Sequence, residues 1–143
     1  PLPSPMIHSK NFDFSYSGLK TAVLYLLRDL KAVSYRLKAR DKADIAASFQ
    51  KAAIDVLIKK TISAAKEYKA KSIFLSGGVS ANKHLRLKLE KAAEELEVNY
   101  SQPELEYTGD NAAMIALAGY FSSKKKPQEL SWGSVEMDAN LRF

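Results

Sequence analysis

Cysteine is absent from the 143 residues. That excludes disulfides, thiolate zinc sites and iron–sulfur clusters within the chain and fits a reducing cytosol, so a cytoplasmic protein is expected. Histidine is nearly absent. His8 and His84 stand far apart, without the spacing of a ligand pair. No apolar stretch approaches the roughly 20 residues of a membrane helix, and no signal peptide is visible. Internal repeats and low-complexity segments are lacking too. Glycine is scarce, six residues in all, yet two of them, Gly77 and Gly78, are adjacent. The chain opens PLPSPM, with no initiator methionine ahead of it, which has the look of a piece of a longer protein.

What is present is positive charge and helical periodicity. A net charge of +6 and an isoelectric point near 9.4 point to an anionic partner, nucleic acid being the commonest, or to helices with solvated lysine faces. The length suits one domain or part of a larger one. In NFDFSYSG, residues 11–18, Phe12, Phe14 and Tyr16 alternate with polar residues, which predicts a half-buried strand. Ser17 then caps a helix over about residues 19–30. The basic stretch KAVSYRLKARDK, residues 31–42, reads as a mobile connection or short helix.

The longest helix is expected over residues 42–69. Ile45, Phe49, Ala52 and Val56 make one apolar row, and Ile54, Ile58, Ile62 and Ala65 another. Lys51, Asp55, Lys59 and Lys66 are left for water. SIFLS, residues 72–76, predicts a short strand covered on both faces. Leu85, Leu89, Ala92 and Leu96 line an amphipathic helix, and VNYSQP, residues 98–103, is a second strand stopped by Pro103. TGDNAAMIALAGYF starts a last helix, capped by Asp110 or Thr108. From Ser122 a tail with Lys124, Lys125 and Lys126 is expected along the surface. Strand, turn, helix, strand and helix in this order predict a right-handed crossover and a short parallel sheet, too thin to stand alone.

The Gly77-Gly78 turn follows a strand and precedes a helix, the place where open α/β sheets bind ligands. Without side chains, the two residues can expose their amides to an oxygen, or simply make a tight turn. Asn82 either caps the next helix or bonds a ligand hydroxyl. Asp110 reads as a helix cap, and as a metal ligand it would be a lone carboxylate. Ser17 and Lys20 have Ser-x-x-Lys spacing, but the companion motifs of penicillin-binding enzymes are missing.

Three segments together, DFSYSGLKTAV (13–23), LSGGVSANKHLR (75–86) and TGDNAAMIALAGY (108–120), resemble the carboxyl-terminal half of the TsaD family. These are tRNA threonylcarbamoyladenosine transferases, called O-sialoglycoprotein endopeptidases or glycoproteases in older naming. The resemblance implies a helix-rich α/β chain, a partial lobe of an actin-like ATPase (ribonuclease H-like) fold, over residues 1–121 with a surface tail over 122–143. It implies transfer of threonylcarbamoyl from threonylcarbamoyl-adenylate to the N6 amine of the adenosine beside the tRNA anticodon. Gly77, Gly78 and Asn82 would hold the adenylate, and Asp110 would ligate one divalent metal, iron or zinc. The metal set would be completed by a His-x-x-x-His pair of the missing amino-terminal lobe, a pair this chain lacks, so the chain alone is expected to be inactive and to bind metal weakly. Expected partners are tRNA, reached through Lys31, Arg36, Lys38 and Arg40, and accessory proteins of the same pathway, with no membrane. Bacterial relatives often read Cys-Thr-Asp where this chain has Thr108-Gly109-Asp110. A lobe of an actin-fold kinase or ATPase, and a non-catalytic RNA-binding module, stay open as alternatives. No protease constellation is visible.

Overall fold

The structure is a computed structural model that describes residues 2–125. Residues 2–108 fall in one compact unit and Gly109 opens a second. The first unit holds helices α1 (Ser17–Ala32), α2 (Ala39–Glu67) and α3 (Lys83–Glu95), with strands β1 (Ser72–Phe74) and β2 (Asn99–Ser101). The second holds α4 (Ala112–Lys125). Among the described residues no helix is long and apolar enough to cross a membrane.

The helix-rich α/β character and the short parallel sheet follow the sequence pattern. β1 and β2 pair in parallel, Ile73 opposite Tyr100, with α3 as the crossover. Ile73, Leu89, Ala93 and Ala65 form a buried cluster that joins sheet, α3 and α2, with Ile58, Ile62 and Leu96 packed against it. The buried row of α3 runs through Leu85, Leu89 and Ala93, and Ala92 beside it is only half-buried. Truncating Leu89 to alanine here costs about 2–5 kcal/mol.

α2 is the spine. Ala52, Ile54, Val56 and Ala65 are buried and Lys51, Lys59 and Lys66 exposed, as expected, but Phe49 of the first apolar row is exposed and Asp55 of the polar stripe is half-buried. It starts at Ala39, three residues earlier than expected, because the Asp41 carboxylate accepts the Lys38 amide at 2.8 Å. α1 runs on to Ala32. Residues 31–42 are therefore mostly helix ends, with a short elbow over 33–38 closed by the Tyr35 amide on the Leu30 carbonyl, 2.9 Å.

Four expectations are corrected. Residues 11–16 form no strand, and only Phe12 of the alternating aromatics is half-buried, while Phe14 and Tyr16 are exposed. Within this unit the segment meets helix instead of sheet. Ser4 Oγ donates to the Ala52 carbonyl at 3.3 Å, Lys60 grasps Ser9 and Asn11, and the Phe12 ring packs against Tyr68, so the segment is strapped along α2. Ser17 does not cap α1. It is the first helical residue, and Ser15 Oγ accepts its amide at 3.3 Å. β1 is not covered on both faces, since Ile73 is 7% exposed and Phe74 77%. The cap of α4 is Asn111, not Asp110 or Thr108, for its Oδ1 accepts the Met114 amide at 3.0 Å. Of the tail expected from Ser122, residues 122–125 are instead the last turn of α4, exposed, and residues 126–143 lie outside the described residues.

Candidate functional site

The turn after β1 is built from Gly77 and a single 3-10 turn over Gly78–Ala81. Gly77 has φ +82° and ψ 170°, a region reserved for glycine, so conformation alone demands it. Gly78 is different. It has no positive φ, and a Cβ placed on it would meet nothing within 4 Å. Neither backbone geometry nor packing within the unit explains its bareness. The open space above it leaves the main chain approachable.

Arg86, one turn into α3, ties this turn down. Its Nε donates to the Ser80 carbonyl and its Nη2 to the Pro103 carbonyl at 2.8 Å. One guanidinium thus links the segments that leave β1 and β2 at the carboxyl ends of the parallel strands. Sequence reading passed Arg86 over. The signal was its place four residues after Asn82, on the same side of the helix start.

Asn82 caps α3. Its Oδ1 accepts the amides of His84 and Leu85 at 3.0 and 3.1 Å. Its Nδ2 gives one hydrogen to Gln50 Oε1 of α2 at 3.0 Å. An amide nitrogen carries two hydrogens, so one is left over. Asn82 and Val79 line an open cavity of about 940 Å³ between α1 and α2, whose walls include Val23, Leu27, Ile45 and Phe49. Lys20, Lys42, Gln50 and Ser17 supply its polar groups. Ser17 and Lys20 thus share a cavity wall. Apolar walls with a few polar groups suit a flat organic ring.

Asp110 lies in the second unit, exposed, beside a recess of about 350 Å³ at the start of α4. Because Asn111 makes the cap, the Asp110 carboxylate is not engaged there, and it makes no hydrogen bond or ion pair among the described residues. No group of three metal-binding side chains stands together among those residues. Thr108, just before it, is buried and donates to the Leu105 carbonyl at 2.8 Å.

The family model for TsaD, tRNA N6-adenosine threonylcarbamoyltransferase, matches residues 1–117. The chain belongs to the TsaD family. Proteins named tRNA N6-adenosine threonylcarbamoyltransferase are similar to it along most of its length. The one from Thermosipho africanus is 49% identical over 123 residues, 86% of this chain and 36% of that protein. Those from Ralstonia pickettii and Burkholderia ambifaria are 42% and 44% identical over 92% and 90% of the chain, and 38% of each relative. The chain thus spans little more than a third of the length of these relatives. TsaD membership makes the helix-rich unit with its short parallel sheet part of an actin-like fold.

Proposed function

We propose that this chain supplies one wall of the active site of a transferase that moves threonylcarbamoyl from threonylcarbamoyl-adenylate to the N6 amine of the adenosine next to the tRNA anticodon. The observation that carries this is the bare Gly78 main chain, with no packing reason to be bare, leading into Asn82 on the wall of an apolar cavity. Gly77 and Gly78 offer amides to the adenylate's oxygens. The spare Asn82 hydrogen bonds a ligand oxygen, while Gln50 and the α3 amides hold the side chain in place.

In the transfer, the N6 lone pair attacks the carbamoyl carbonyl carbon and the new C–N bond forms. The bond to the adenylate oxygen breaks, AMP leaves with that electron pair, and the amine loses a proton. This chain's part is to bind and orient the adenylate, so no catalytic residue is assigned within it. Asp110 would give one carboxylate to a divalent metal, iron or zinc, whose histidines come from outside this chain and whose charge would draw electron density from the carbonyl. Accessory proteins of the pathway would act on the complete enzyme in the cytoplasm.

The test supplies the missing lobe from a relative and measures threonylcarbamoyl transfer to tRNA. Transfer is expected with the reconstituted protein, falling at least about tenfold for Asn82→Ala or Asp110→Ala, in line with loss of a preorganised donor or ligand. No transfer, or turnover of ATP with a small acceptor instead, would overturn the reading. So would full activity from the chain alone.

A further inference from the structure

We infer that the elbow between α1 and α2 is a docking surface for a single-stranded RNA loop. The inference rests on the reading of the partner as tRNA and adds where the RNA lies. Residues 31–42 hold five cations, Lys31, Arg36, Lys38, Arg40 and Lys42, against one carboxylate, Asp41. Four of the chain's six net positive charges fall within these twelve residues. All five cations are exposed, and none forms an ion pair among the described residues, where the pairs are Arg28–Asp29, Lys51–Asp55 and Lys88–Asp55. Asp41 offsets one of the five charges but forms an ion pair with none of them among the described residues. Its carboxylate is occupied by the Lys38 amide and the Tyr35 hydroxyl, at 2.8 and 2.9 Å.

Charge alone would fit any polyanion. Aromatic rings beside it favour unpaired nucleotides. Tyr25 and Tyr35 are exposed, and the Arg28 guanidinium lies 4.7 Å from the centre of the Tyr25 ring. Tyr25, Arg28 and Lys31 succeed each other at three-residue spacing on α1, which sets them along one side of the helix. Bases of any identity stack on such rings while arginines and lysines track the phosphates. The elbow is also ordered: besides the bond from Tyr35 to Leu30, the Ser34 amide donates to the Lys31 carbonyl at 2.9 Å.

The elbow opens onto the proposed site. Leu37 and Lys42 line the same cavity as Asn82. An RNA loop held at residues 31–42 is therefore tethered beside the same cavity that carries the proposed adenylate contact.

The experiment titrates the full chain into a fluorescent RNA hairpin carrying the anticodon loop of a tRNA that reads codons beginning with A, over a range of salt. Binding is expected to weaken steeply with salt. The Arg36→Gln/Lys38→Gln/Arg40→Gln variant should bind at least about tenfold more weakly. The slope of log K against log salt should fall by about 2, because each phosphate neutralised on a single strand accounts for about 0.7 of that slope. Tyr25→Ser should weaken the hairpin at least about fivefold and leave a blunt RNA duplex unchanged, as removal of a stacking ring demands. A control, Lys66→Gln/Lys69→Gln/Lys71→Gln, should keep most of the affinity.

Failure of the chain to bind the hairpin, equal losses in the two triple variants, or polyglutamate binding as tightly as RNA would each overturn the assignment. The last outcome would make the elbow a site for acidic proteins. Transfer assays separate this inference from the reading beneath it. Loss of transfer in Asn82→Ala with normal RNA binding by the elbow triple variant would defeat only the elbow. Elbow-dependent RNA binding without any transfer in the reconstituted protein would defeat only the proposed reaction.

Discussion

The Lys60 ammonium lies 2.6 Å from the carbonyl oxygen of Asn11, with the carbonyl and hydroxyl oxygens of Ser9 each at 2.8 Å. Lys60 is buried at 5% exposure, and three oxygens satisfy its three hydrogens. A buried charge is tolerated only when so satisfied. The lysine therefore fixes the segment before α1 against α2. Lys60→Met should lower stability by about 2–3 kcal/mol, the scale for losing hydrogen bonds to a charged group. Chemical denaturation measures this. Limited proteolysis should then cut within residues 5–15 first, and an uncut segment would show that the lysine is not what holds it.

Gly77 and Gly78 should respond differently to alanine. At Gly77 the φ of +82° makes alanine strained by about 1–3 kcal/mol. At Gly78 alanine meets nothing, and its stability should match the parent within about 0.5 kcal/mol. If Gly78 is bare for the adenylate, a larger residue such as valine should weaken adenylate binding in the reconstituted protein without unfolding the chain. Thermal melts and a nucleotide-binding isotherm on the same samples decide it.

Asn82 carries a structural and a proposed ligand role, and the two can be separated. Asn82→Asp keeps an oxygen for the His84 and Leu85 amides but loses the hydrogens for Gln50 and ligand. Asn82→Ala loses the cap as well, at about 1 kcal/mol. Aspartate should therefore melt closer to the parent than alanine does while failing to restore transfer. Equal transfer by asparagine and aspartate would remove Asn82 from the ligand's surroundings.

Asp55 joins α2 to α3, receiving Lys88 at 2.7 Å and Lys51 of its own helix. Partial burial would raise its pKa, but the hydrogen bonds from Lys51 and Lys88 outweigh it and hold the carboxyl below its ordinary value of 3.8. A lowered value in the folded state means the stabilisation is complete above 3.8 and lost as pH falls through the folded value. Stability measured from pH 6 down to pH 2 should fall less steeply for Asp55→Asn at the acid end. Identical acid limbs would show that the pair contributes nothing.

Asp110 and Asn111 are adjacent with separate duties. Asn111→Ala should fray the start of α4 by about 1 kcal/mol, seen as lost helical circular dichroism. Asp110→Asn should leave that signal unchanged and reduce metal uptake by the reconstituted protein, read by metal analysis after gel filtration. Equal metal content in parent and variant would remove Asp110 from the ligand set.

Much of the fold was legible because its signals are local. The apolar rows of α2 persist over several turns, and α3 alternates wet and dry faces from its cap onward. The first strand followed from the short apolar run SIFLS, the second from VNYSQP stopped by Pro103, and their parallel pairing from the one helix between them. The strand expected at residues 11–16 failed because alternation marks a two-faced segment without naming its partner. Here a lysine 49 residues away takes the place of a neighbouring strand. Helix starts slipped by a residue or two, with Ser17 already helical behind Tyr16 and Asn111 taking the cap of α4, because neighbouring short polar residues compete and only geometry chooses. The glycine turn and Asn82 stood out by composition, whereas Arg86 and Gln50 did not, since nothing local marks which of many polar side chains will meet across space.

Ile73 and Phe74 are neighbours in one strand, yet one is sealed into the helices and the other faces outward. Solubility and folding can thus be tuned separately at this spot. Replacing Phe74 by threonine, which keeps a strand-compatible shape, removes a greasy ring from the exterior without touching the packed side. Purification behaviour can be improved there with the core left as it is.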